Sequence, residues 1–574
     1  MNKIKYTIIW IFQILFFVES FLQAQNNPFI IAWYDYSGTT TAIATMTQHY
    51  KDMQEHNINC AITPFRLTHL DGWTAPDPSY FQWVSSNPPP SKAFLDSAHK
   101  YDINIILSTP ENGITGRTDP WAILTQYDSD LCQQGLEYWG THPALWGLHI
   151  YDEPYGRDAF SYFMPYVNHI RSVNPNLLRF INLAPICNEE LSYTGYEQFV
   201  QDYIDTAQPN ILSFDYYPLK DPIGDTNALF YNMDIIARKS AANNIPFVYV
   251  FCSYGHISES YFIHPKEITS YFIHAGLCYG AKGIAYWNST LYINSFPFEH
   301  RAFIKNINKN ILEHEDILLS LEYKSAYHRS TKSTIGAIID FVPIHSHWQY
   351  FSSDLYANEI FNVTNPLIAM SGSTIDSLTV SFMTDNIGNK YFWIFNKSLC
   401  SSESIQLNLK DGSTVVDVFN ATPCLDQNSV IYLDTAEAKL FKFIPEQHTP
   451  AVNTISQNTT WNKKRVVHET IHVTSSVTFT ITDTILFGSN AKIVINPGGK
   501  LIIDGGTLTN ACEGELWGGI EVYGTPTSSQ NVPWSDQGVV ILQNDAVIEN
   551  AVCGIRIGKE INIPVDLNGT IITI

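Results

Sequence analysis

Strand-like and helix-like segments alternate eight times over the first half of the chain, and this pattern constrains the fold most. The strand-like segments are near-continuous apolar runs, which is typical of parallel strands buried on both faces. They span Phe29–Tyr36, Ile58–Leu67, Ile103–Pro110, Leu145–Tyr151, Leu178–Ala184, Ile211–Tyr217, Phe247–Tyr254 and Gly283–Asn288. Eight such units in roughly 290 residues match the size of a (β/α)8 barrel, or TIM barrel, which we predict over residues 28–321.

The remainder of the 574-residue chain changes pattern twice. Residues 322–445 hold short alternating segments separated by turns such as Asp385-Asn-Ile-Gly-Asn, which predicts an antiparallel β-sandwich. Residues 446–462 are rich in Gln, Thr and Asn and predict a polar linker. We therefore expect the segment beyond this linker to be separable from the rest and dispensable for activity.

Residues 463–574 are repetitive, since Trp517-Gly-Gly-Ile is echoed by Cys553-Gly-Ile. Short strands punctuated by glycine at this spacing predict parallel β-helix-like repeats. The chain stops at Ile574 inside an apolar run, so we expect the repeat segment to be truncated. Attachment to a cell surface is the role that this region would serve.

The first 24 residues predict a secretory signal peptide. Lys3 and Lys5 precede the apolar run Tyr6–Val18, and Ala24 is a small residue at a plausible cleavage point. A membrane anchor is the alternative, but the run is short for a spanning helix and Glu19 closes it. We expect a secreted or cell-surface protein with no membrane insertion after signal cleavage.

Charge and aromatic content limit the partners. The net charge of -22 comes from 55 acidic and 33 basic residues, and it repels the phosphates of nucleic acids and anionic lipids. Aromatic residues make up 13% of the chain, which suits stacking on neutral sugars and equally suits a large β-rich core. A carbohydrate is therefore the expected partner, and nucleic acid is not.

The nine cysteines are scattered, and at least one must be unpaired. Cys60, Cys252 and Cys278 lie in apolar patterns that predict buried thiols. Cys400 and Cys424 are the pair that we expect to form a disulfide. The spacing matches no zinc site, so neither a metal nor another cofactor is expected.

The fourth strand ends in an acidic pair, within Leu145-Trp-Gly-Leu-His-Ile-Tyr-Asp-Glu-Pro154. Because catalytic groups of such barrels lie at the carboxyl ends of the strands, Asp152 and Glu153 are candidates for chemistry. The alternative is that both favour the positive end of the following helix, Asp158–Val173. Strict alternation would also place Tyr151 and Glu153 on the side of the strand that His149 occupies.

Other polar and aromatic side chains end neighbouring strands and are expected at the same mouth. They are Asp35, Arg66, Glu111, Asp215, Tyr217 and Trp287. Glycoside hydrolysis needs one carboxylic acid to protonate the leaving oxygen and a second carboxylate to attack or to activate water. Aromatic rings add stacking surfaces for sugars. The sequence therefore predicts a glycoside hydrolase.

The predicted barrel and sandwich resemble secreted bacterial glycoside hydrolases of the (β/α)8 superfamily. In their retaining clan a glutamate at the end of strand four, commonly in Asn-Glu, is the acid/base. The resemblance implies this role for Glu153, with Asp152 in place of the Asn. Gly283-Ile-Ala-Tyr-Trp-Asn288 is similar to the last strand of that clan, which implies a sugar subsite at Trp287.

The seventh strand departs from this resemblance, because Pro246–Gly255 contains no acid where the clan has its nucleophile. Asp215 is the stronger candidate for the second carboxylate by strand position, and Glu259 in the following loop is the other. Asp215 could instead orient Arg66 or Tyr217. Retaining and inverting mechanisms both stay open, and a non-catalytic carbohydrate-binding or adhesive protein is the alternative function.

Overall fold

The computed structural model describes the chain in segments. These are 28–34, 43–63, 93–108, 133, 136–137, 139–154, 156–186, 193–218, 226–257, 260–287, 293–328, 354–362, 367–369, 378–410, 412–420, 424–445, 450, 452–512, 514–529, 535–558 and 571–573. Within this part of the chain no helix has both the length and the apolar character needed to cross a bilayer.

Eight parallel strands close into a barrel, as the alternating pattern predicts. They are β1 (Ile30–Tyr34), β2 (Cys60–Thr63), β3 (Asn104–Ser108), β4 (Leu145–Asp152), β5 (Leu178–Leu183), β6 (Leu212–Asp215), β7 (Phe247–Cys252) and β10 (Gly283–Trp287). A short hairpin of β8 (Tyr254–Ile257) and β9 (Ser260–Ile263) follows β7. Pairing of β1 with both β2 and β10 closes the ring.

Helices follow most of the strands and cover the outside of the barrel. They are α1 (Ile43–Glu55), α2 (Ala93–Lys100), α3 (Phe160–Val173), α4 (Tyr193–Ala207), α5 (Thr226–Asn243), α6 (Lys266–Cys278), α7 (Phe298–Glu313) and α8 (Glu315–Ser320). Short 3-10 turns span Arg157–Ala159 and Ile293–Ser295. The apolar faces of these helices bury the outward-facing strand residues in one large core.

The barrel interior is filled by alternate strand residues, because successive side chains point to opposite faces. The interior cluster comprises Ile30, Ala32, Tyr34, Cys60, Ile62, Ile106, Leu178, Phe180, Ile211, Val248, Val250 and Ala285. The same alternation continues to Asn182, Asp215 and Trp287 at the carboxyl ends of their strands. The apolar interior therefore ends in a polar and aromatic layer at the barrel mouth.

Strand β4 contains a bulge that changes which of its side chains face inward. His149 pairs with Phe180, Tyr151 with Ile181 and Asp152 with Asn182, so Ile150 is an extra residue. Tyr151 consequently packs outside the barrel, 5.8 Å from the Phe163 ring. The predicted alternation that grouped Tyr151 with His149 is wrong, because the extra residue reverses the parity of the strand.

Two antiparallel sheets follow the barrel. Their elements are β11 (Glu322–His328), α9 (Leu355–Ile360), β12 (Leu367–Ala369), β13 (Leu378–Thr384), β14 (Lys390–Asn396), β15 (Glu403–Leu407), β16 (Thr414–Asp417), β17 (Val430–Leu433) and β18 (Ala438–Ile444). The strand orders are β11-β13-β14-β18-β16 and β12-β15-β17. Both sheets contribute buried side chains to one cluster, including Phe382, Phe392 and Phe441 from the first and Ile405, Leu407 and Leu433 from the second.

The last part of the chain forms three parallel sheets. The strands are β19 (Val452–Ile455), β20 (Thr459–Trp461), β21 (Arg465–Val467), β22 (Thr470–Val473), β23 (Thr478–Ile481), β24 (Ile485–Phe487), β25 (Lys492–Ile495), β26 (Lys500–Asp504), β27 (Thr507–Asn510), β28 (Gly519–Val522), β29 (Val539–Gln543), β30 (Val547–Ile548), β31 (Ile555–Ile557) and β32 (Ile571–Thr573). Successive strands join the three sheets in turn, so each pairs with the strand three places later. Ile471, Ile493 and Ile520 stack in register and are fully buried.

The parallel sheets contact both the antiparallel part and the helices of the barrel. Strands β19 and β20 lie inside the predicted linker, 446–462. Lys442 of β18 forms a buried ion pair with Glu469, to which Asn389 Nδ2 also donates at 2.8 Å. Lys463 Nζ donates to the carbonyl oxygen of Leu312 on α7 at 2.9 Å. The parallel sheets therefore pack against the two preceding parts of the molecule.

A disulfide joins Cys424 to Cys512, and it links the antiparallel part to the parallel sheets. The predicted Cys400–Cys424 pairing is wrong, since Cys400 is a free, exposed thiol. The two cysteines that do pair are 88 residues apart in the chain, so local pattern gave no signal. Cys60, Cys252 and Cys278 are buried free thiols, as predicted.

Candidate active site

The structure describes five of the predicted site residues, and all five lie at the carboxyl ends of β4, β6 and β10. They are Asp152, Glu153, Asp215, Tyr217 and Trp287. The other four, Asp35, Arg66, Glu111 and Glu259, lie outside the described residues. Four of the five lie at the ends of β4 and β6, which both pair with β5, and Trp287 lies at the end of β10.

Glu153 follows β4 directly and has an unusual backbone conformation. Its φ of 48° lies in the left-handed region, which is uncommon for residues other than glycine. Its backbone N–H donates to the carbonyl oxygen of Asn182 at 2.7 Å, which anchors it to β5. Pro154 comes next and cannot continue the ladder. Such strained conformations persist where the surroundings fix them, and they cluster at functional sites.

Asp215 and Glu153 form a pair of carboxyl groups in hydrogen-bond contact. Asp215 is only 4% exposed, and burial is the main reason why its pKa lies well above the ordinary value for an aspartate. The nearby charges of Glu153 and Asp152 raise that pKa further, while a hydrogen bond from Tyr217 opposes the rise. Because two like charges in contact cannot both ionise easily, the contact favours a proton shared by the pair.

Tyr217 completes the environment of this pair from the same strand end. Its phenol donates to the Asp215 carboxyl, and burial followed by the charge of Asp215 raises the pKa of the phenol. The phenol therefore stays protonated and is available as a donor at physiological pH. The sequence predicts that Asp215 is either the second carboxylate or a residue that orients Tyr217. It contacts both Glu153 and Tyr217, so the two roles are compatible.

Asp152 lies beside the pair and is held by a chain of polar side chains. Asn182 Nδ2 donates to Asp152 Oδ1 at 3.2 Å, and Ser213 Oγ donates to Asn182 Oδ1 at 3.0 Å. Burial raises the pKa of Asp152 to about 6, and the bond from Asn182 acts in the opposite direction. Because 39% of the side chain is accessible, water in the mouth screens part of this effect.

His149 forms the floor beneath Asp152. The ring is fully buried between Tyr34, at 6.1 Å, and Phe180, at 5.4 Å between centroids. Its Nε2 lies 3.9 Å from Asp152 Oδ1, but burial lowers the pKa of His149 to about 3. The imidazole is therefore neutral at physiological pH and does not form an ion pair with Asp152.

An aromatic pair borders the carboxyl groups. The rings of Tyr217 and Trp287 are stacked with centroids 5.1 Å apart and an interplanar angle of 14°. Both residues are only partly buried, so part of their apolar surface faces the mouth. The backbone of Trp287 is fixed by β7, since the N–H and Oγ of Ser253 both donate to its carbonyl oxygen, at 3.0 and 3.1 Å.

Sequence reasoning missed Asn182 and Ser213, although a signal was present. Both are polar residues in inward positions of otherwise apolar strands, Leu178-Arg-Phe-Ile-Asn-Leu183 and Leu212-Ser-Phe-Asp215. Buried polar side chains must be paired, so two of them at equivalent heights on adjacent strands indicate a network. Among the described residues, no group of three or more His, Cys, Asp and Glu side chains could hold a metal ion.

Comparisons with known proteins give only distant similarities. No protein-family model and no curated protein matches the sequence. A beta-galactosidase from Bacillus circulans sp. alkalophilus is 9% identical with a TM-score of 0.48, covering 72% of this chain and 99% of its own. A GH27 β-L-arabinopyranosidase from Geobacillus stearothermophilus is 11% identical with a TM-score of 0.41, covering 74% and 98%. These values are too low to assign a family.

The fold and the site together define the class of protein. It is a TIM-barrel protein with two carboxyl groups in contact, a third carboxyl beside them and a stacked aromatic pair at the carboxyl ends of the strands.

Proposed function

We propose that this protein is a glycoside hydrolase that cleaves O-glycosidic bonds of a poly- or oligosaccharide with Glu153 and Asp215. The observation that carries the proposal is the contact between these two carboxyl groups at the barrel mouth. A proton shared by the two groups leaves one carboxyl neutral and the other negatively charged. Glycoside cleavage needs this state, with one neutral carboxyl as acid and one carboxylate as nucleophile or base.

The proposed roles follow from position. Glu153 is half-buried at the end of β4 and acts as the acid/base, while Asp215 is buried deeper and acts as the second carboxylate. A sugar that enters between them must break their hydrogen bond. The separation of the carboxyl groups in the complex would be about 5–5.5 Å for a retaining enzyme and about 6.5–9.5 Å for an inverting one.

The stacked pair of Tyr217 and Trp287 supports a carbohydrate as substrate. Sugar rings have an apolar face that packs on aromatic rings, and the hydroxyl groups around that face need polar partners. Asp152 and the Tyr217 phenol offer such partners within the same layer.

Activity against a panel of aryl glycosides and polysaccharides tests the proposal, with Glu299→Gln on the exposed face of α7 as a matched control. We expect Glu153→Gln to lose at least about a hundredfold in kcat/KM on natural substrates, the usual scale for a positioned general acid. Aryl glycosides with strongly acidic leaving groups need no acid, so they should recover most of that loss. Equal activity of Glu153→Gln and Glu299→Gln would remove Glu153 from the mechanism.

Azide distinguishes the roles of the two carboxyl groups. A small anion can replace a missing carboxylate, so Glu153→Ala and Asp215→Ala should each yield a glycosyl azide if the enzyme is retaining. The anomeric configurations of the two products should then be opposite. Comparison with Glu259→Gln, which we expect to stay active, checks that the loop glutamate is not the nucleophile.

A non-catalytic carbohydrate-binding protein is the second candidate function. Strand β7 ends at Cys252, a buried thiol, where the retaining clan resembled by the sequence has its nucleophile. Binding of a polysaccharide by wild-type protein, unchanged in Asp215→Asn and without any product, would favour this candidate.

Export and the form of the C-terminal region belong to the same proposal. The disulfide between Cys424 and Cys512 supports export, because such bonds persist in oxidising compartments. We infer that residues 463–574 form a parallel β-helix, which the rotation of successive strands among three parallel sheets supports. This region would carry attachment to a cell surface. Detection of the mature N-terminus after residue 24 in culture medium would test export.

A further inference from the structure

Asn182 makes contacts with both acidic residues at the end of β4. Its amide Nδ2 donates to Asp152 Oδ1 at 3.2 Å, and its backbone carbonyl oxygen accepts from the Glu153 N–H at 2.7 Å. Its side-chain oxygen accepts from Ser213 Oγ at 3.0 Å. Asn182 is 2% exposed and Ser213 is fully buried, so these two residues are shielded from bulk water.

The orientation of the Asn182 amide is determined by its partners. A carboxylate only accepts hydrogen bonds, so the nitrogen must face Asp152 and the oxygen must face Ser213. The Ser213 hydroxyl is therefore the donor in its bond to Asn182. Reversal of the amide would instead place two acceptors, Asn182 Oδ1 and Asp152 Oδ1, against each other.

Asp152 lies at the end of β4, between two irregularities of the backbone. The bulge at Ile150 interrupts the ladder just before Asp152, and the left-handed Glu153 follows directly after it. Three titratable groups face Asp152 in this corner: His149 from β4, Glu153 at the strand end and Asp215 from β6. None of them is a cation at neutral pH, since His149 is neutral. The amide of Asn182 is thus the described dipole that favours the Asp152 carboxylate.

We propose that Asn182 is a positioning residue that holds Asp152 as an inward-facing carboxylate, whose charge keeps the shared proton on the Asp215–Glu153 pair. The proposal rests on the proposed function, because that proton is the one glycoside cleavage requires. Ser213 acts one step further back by fixing the amide. The charge of Asp152 on β4 therefore depends also on Asn182 of β5 and Ser213 of β6.

Titration of the side-chain carboxyl carbons tests this proposal without any substrate. Protein labelled with carbon-13 at the aspartate carboxyl would be titrated by NMR, with the Asp152 resonance assigned from Asp152→Asn. In Asn182→Ala we expect Asp152 to become protonated at a pH higher by up to ~1 unit, because a hydrogen bond that favours the charged form is lost. Ser213→Ala should shift it in the same direction by less.

Asn210→Ala is the matched control, since this asparagine lies between β5 and β6 at the opposite end of the barrel. Its side chain donates to the Leu177 carbonyl and accepts from the Arg179 N–H, so its removal also breaks two strand contacts. A purely structural role of Asn182 predicts the same unshifted Asp152 titration in Asn182→Ala as in Asn210→Ala, and that result would overturn the proposal. If Asn182→Ala does not fold, Ser213→Ala decides by the same criterion.

The pH profile of kcat/KM provides the functional readout. The basic limb of Asn182→Ala should move to lower pH, because a protonated Asp152 no longer opposes loss of the shared proton, with kcat reduced and KM nearly unchanged. An Asp152 titration that shifts while the limb stays in place would overturn the link between Asp152 and the pair. If wild-type protein cleaves no glycoside, the proposed function fails, whereas the NMR titration still tests the positioning role.

Discussion

His149 and Asp152 are three residues apart on β4, yet both face the barrel interior, with His149 Nε2 3.9 Å from Asp152 Oδ1. In a regular strand, residues separated by three point to opposite faces. The extra residue Ile150 removes this opposition and directs the last carboxyl of the strand into the mouth. The bulge is thus what places an acidic residue above the neutral, buried imidazole.

The left-handed conformation of Glu153 should lower the unfolding free energy of the protein. Glu153→Ala and Glu153→Gly both remove the carboxyl, but only glycine adopts a φ of 48° without steric cost. We expect the glycine variant to be more stable than the alanine variant by about 1 kcal/mol, measured by urea denaturation. The same pair of substitutions at Glu299, in the first turn of α7, should not favour glycine, because a helical φ is negative and alanine adopts it freely. Equal stabilities at position 153 would mean that its backbone is not strained.

Removal of the Asp152 charge should stabilise the protein above about pH 6. The folded-state pKa is raised from 3.8 to about 6, so the neutral form is favoured by folding. Stability from this group is fully present below about pH 4 and is lost as the pH rises through about 6. Asp152→Asn should therefore melt at a higher temperature than wild type at about pH 8, with no difference near pH 4.

Asp426→Asn is a control that should change the melting temperature in the opposite direction. Asp426 is an exposed turn residue whose pKa is lowered by hydrogen bonds from Asn428 and Ser429. Asp426→Asn should lower the melting temperature at neutral pH rather than raise it. If Asp152→Asn behaves like Asp426→Asn, the Asp152 carboxyl is better solvated than the structure indicates.

The ion pair between Lys442 and Glu469 should be essential for joining the parallel sheets to the rest. The side chains are 7% and 9% exposed; burial alone would raise the pKa of Glu469, but Lys442 lowers it to about 2. Glu469→Gln leaves a buried lysine charge without its partner, so we expect a loss of about 3–5 kcal/mol in unfolding free energy. Deletion of residues 446–574 should likewise lower the melting temperature of the remainder.

An exposed pair on α7 is the control for this prediction. Lys309 and Glu313 lie 3.6 Å apart with side chains 59% and 36% exposed, and such pairs are worth less than about 1 kcal/mol. Glu313→Gln should therefore have little effect. A similarly small effect of Glu469→Gln, together with an unchanged melting temperature after deletion, would support the separable segment that the sequence predicts.

Trp287→Ala should weaken substrate binding more than it slows the chemical step. The ring stacks on Tyr217 and is only partly buried, so its loss removes apolar surface on which a bound sugar can pack. We expect KM to rise about tenfold or more, the equivalent of about 1.4 kcal/mol, with kcat less affected. Trp287→Phe should recover part of the loss. A drop in kcat alone would show that Trp287 orients the carboxyl groups instead.

The sequence by itself determined the barrel and the place of its chemistry. Apolar runs buried on both faces are specified by their own residues, and parallel strands bring all their carboxyl ends to one mouth. The sequence therefore predicts that five residues meet there, namely Asp152, Glu153, Asp215, Tyr217 and Trp287. The repeat of short glycine-punctuated strands in the last part of the chain was likewise readable from local pattern.

Tertiary structure decided the orientation and charge of these groups. A bulge inserts one residue without leaving a sequence signal, because Ile150 suits either face of a strand, and it changed the side on which Tyr151 and Asp152 lie. The contact between Asp215 and Glu153, the support from Asn182 and the Cys424–Cys512 disulfide join residues 30 to 88 positions apart. Such contacts depend on how separate elements pack against one another, and burial then sets the protonation of the carboxyl groups, which no local pattern encodes.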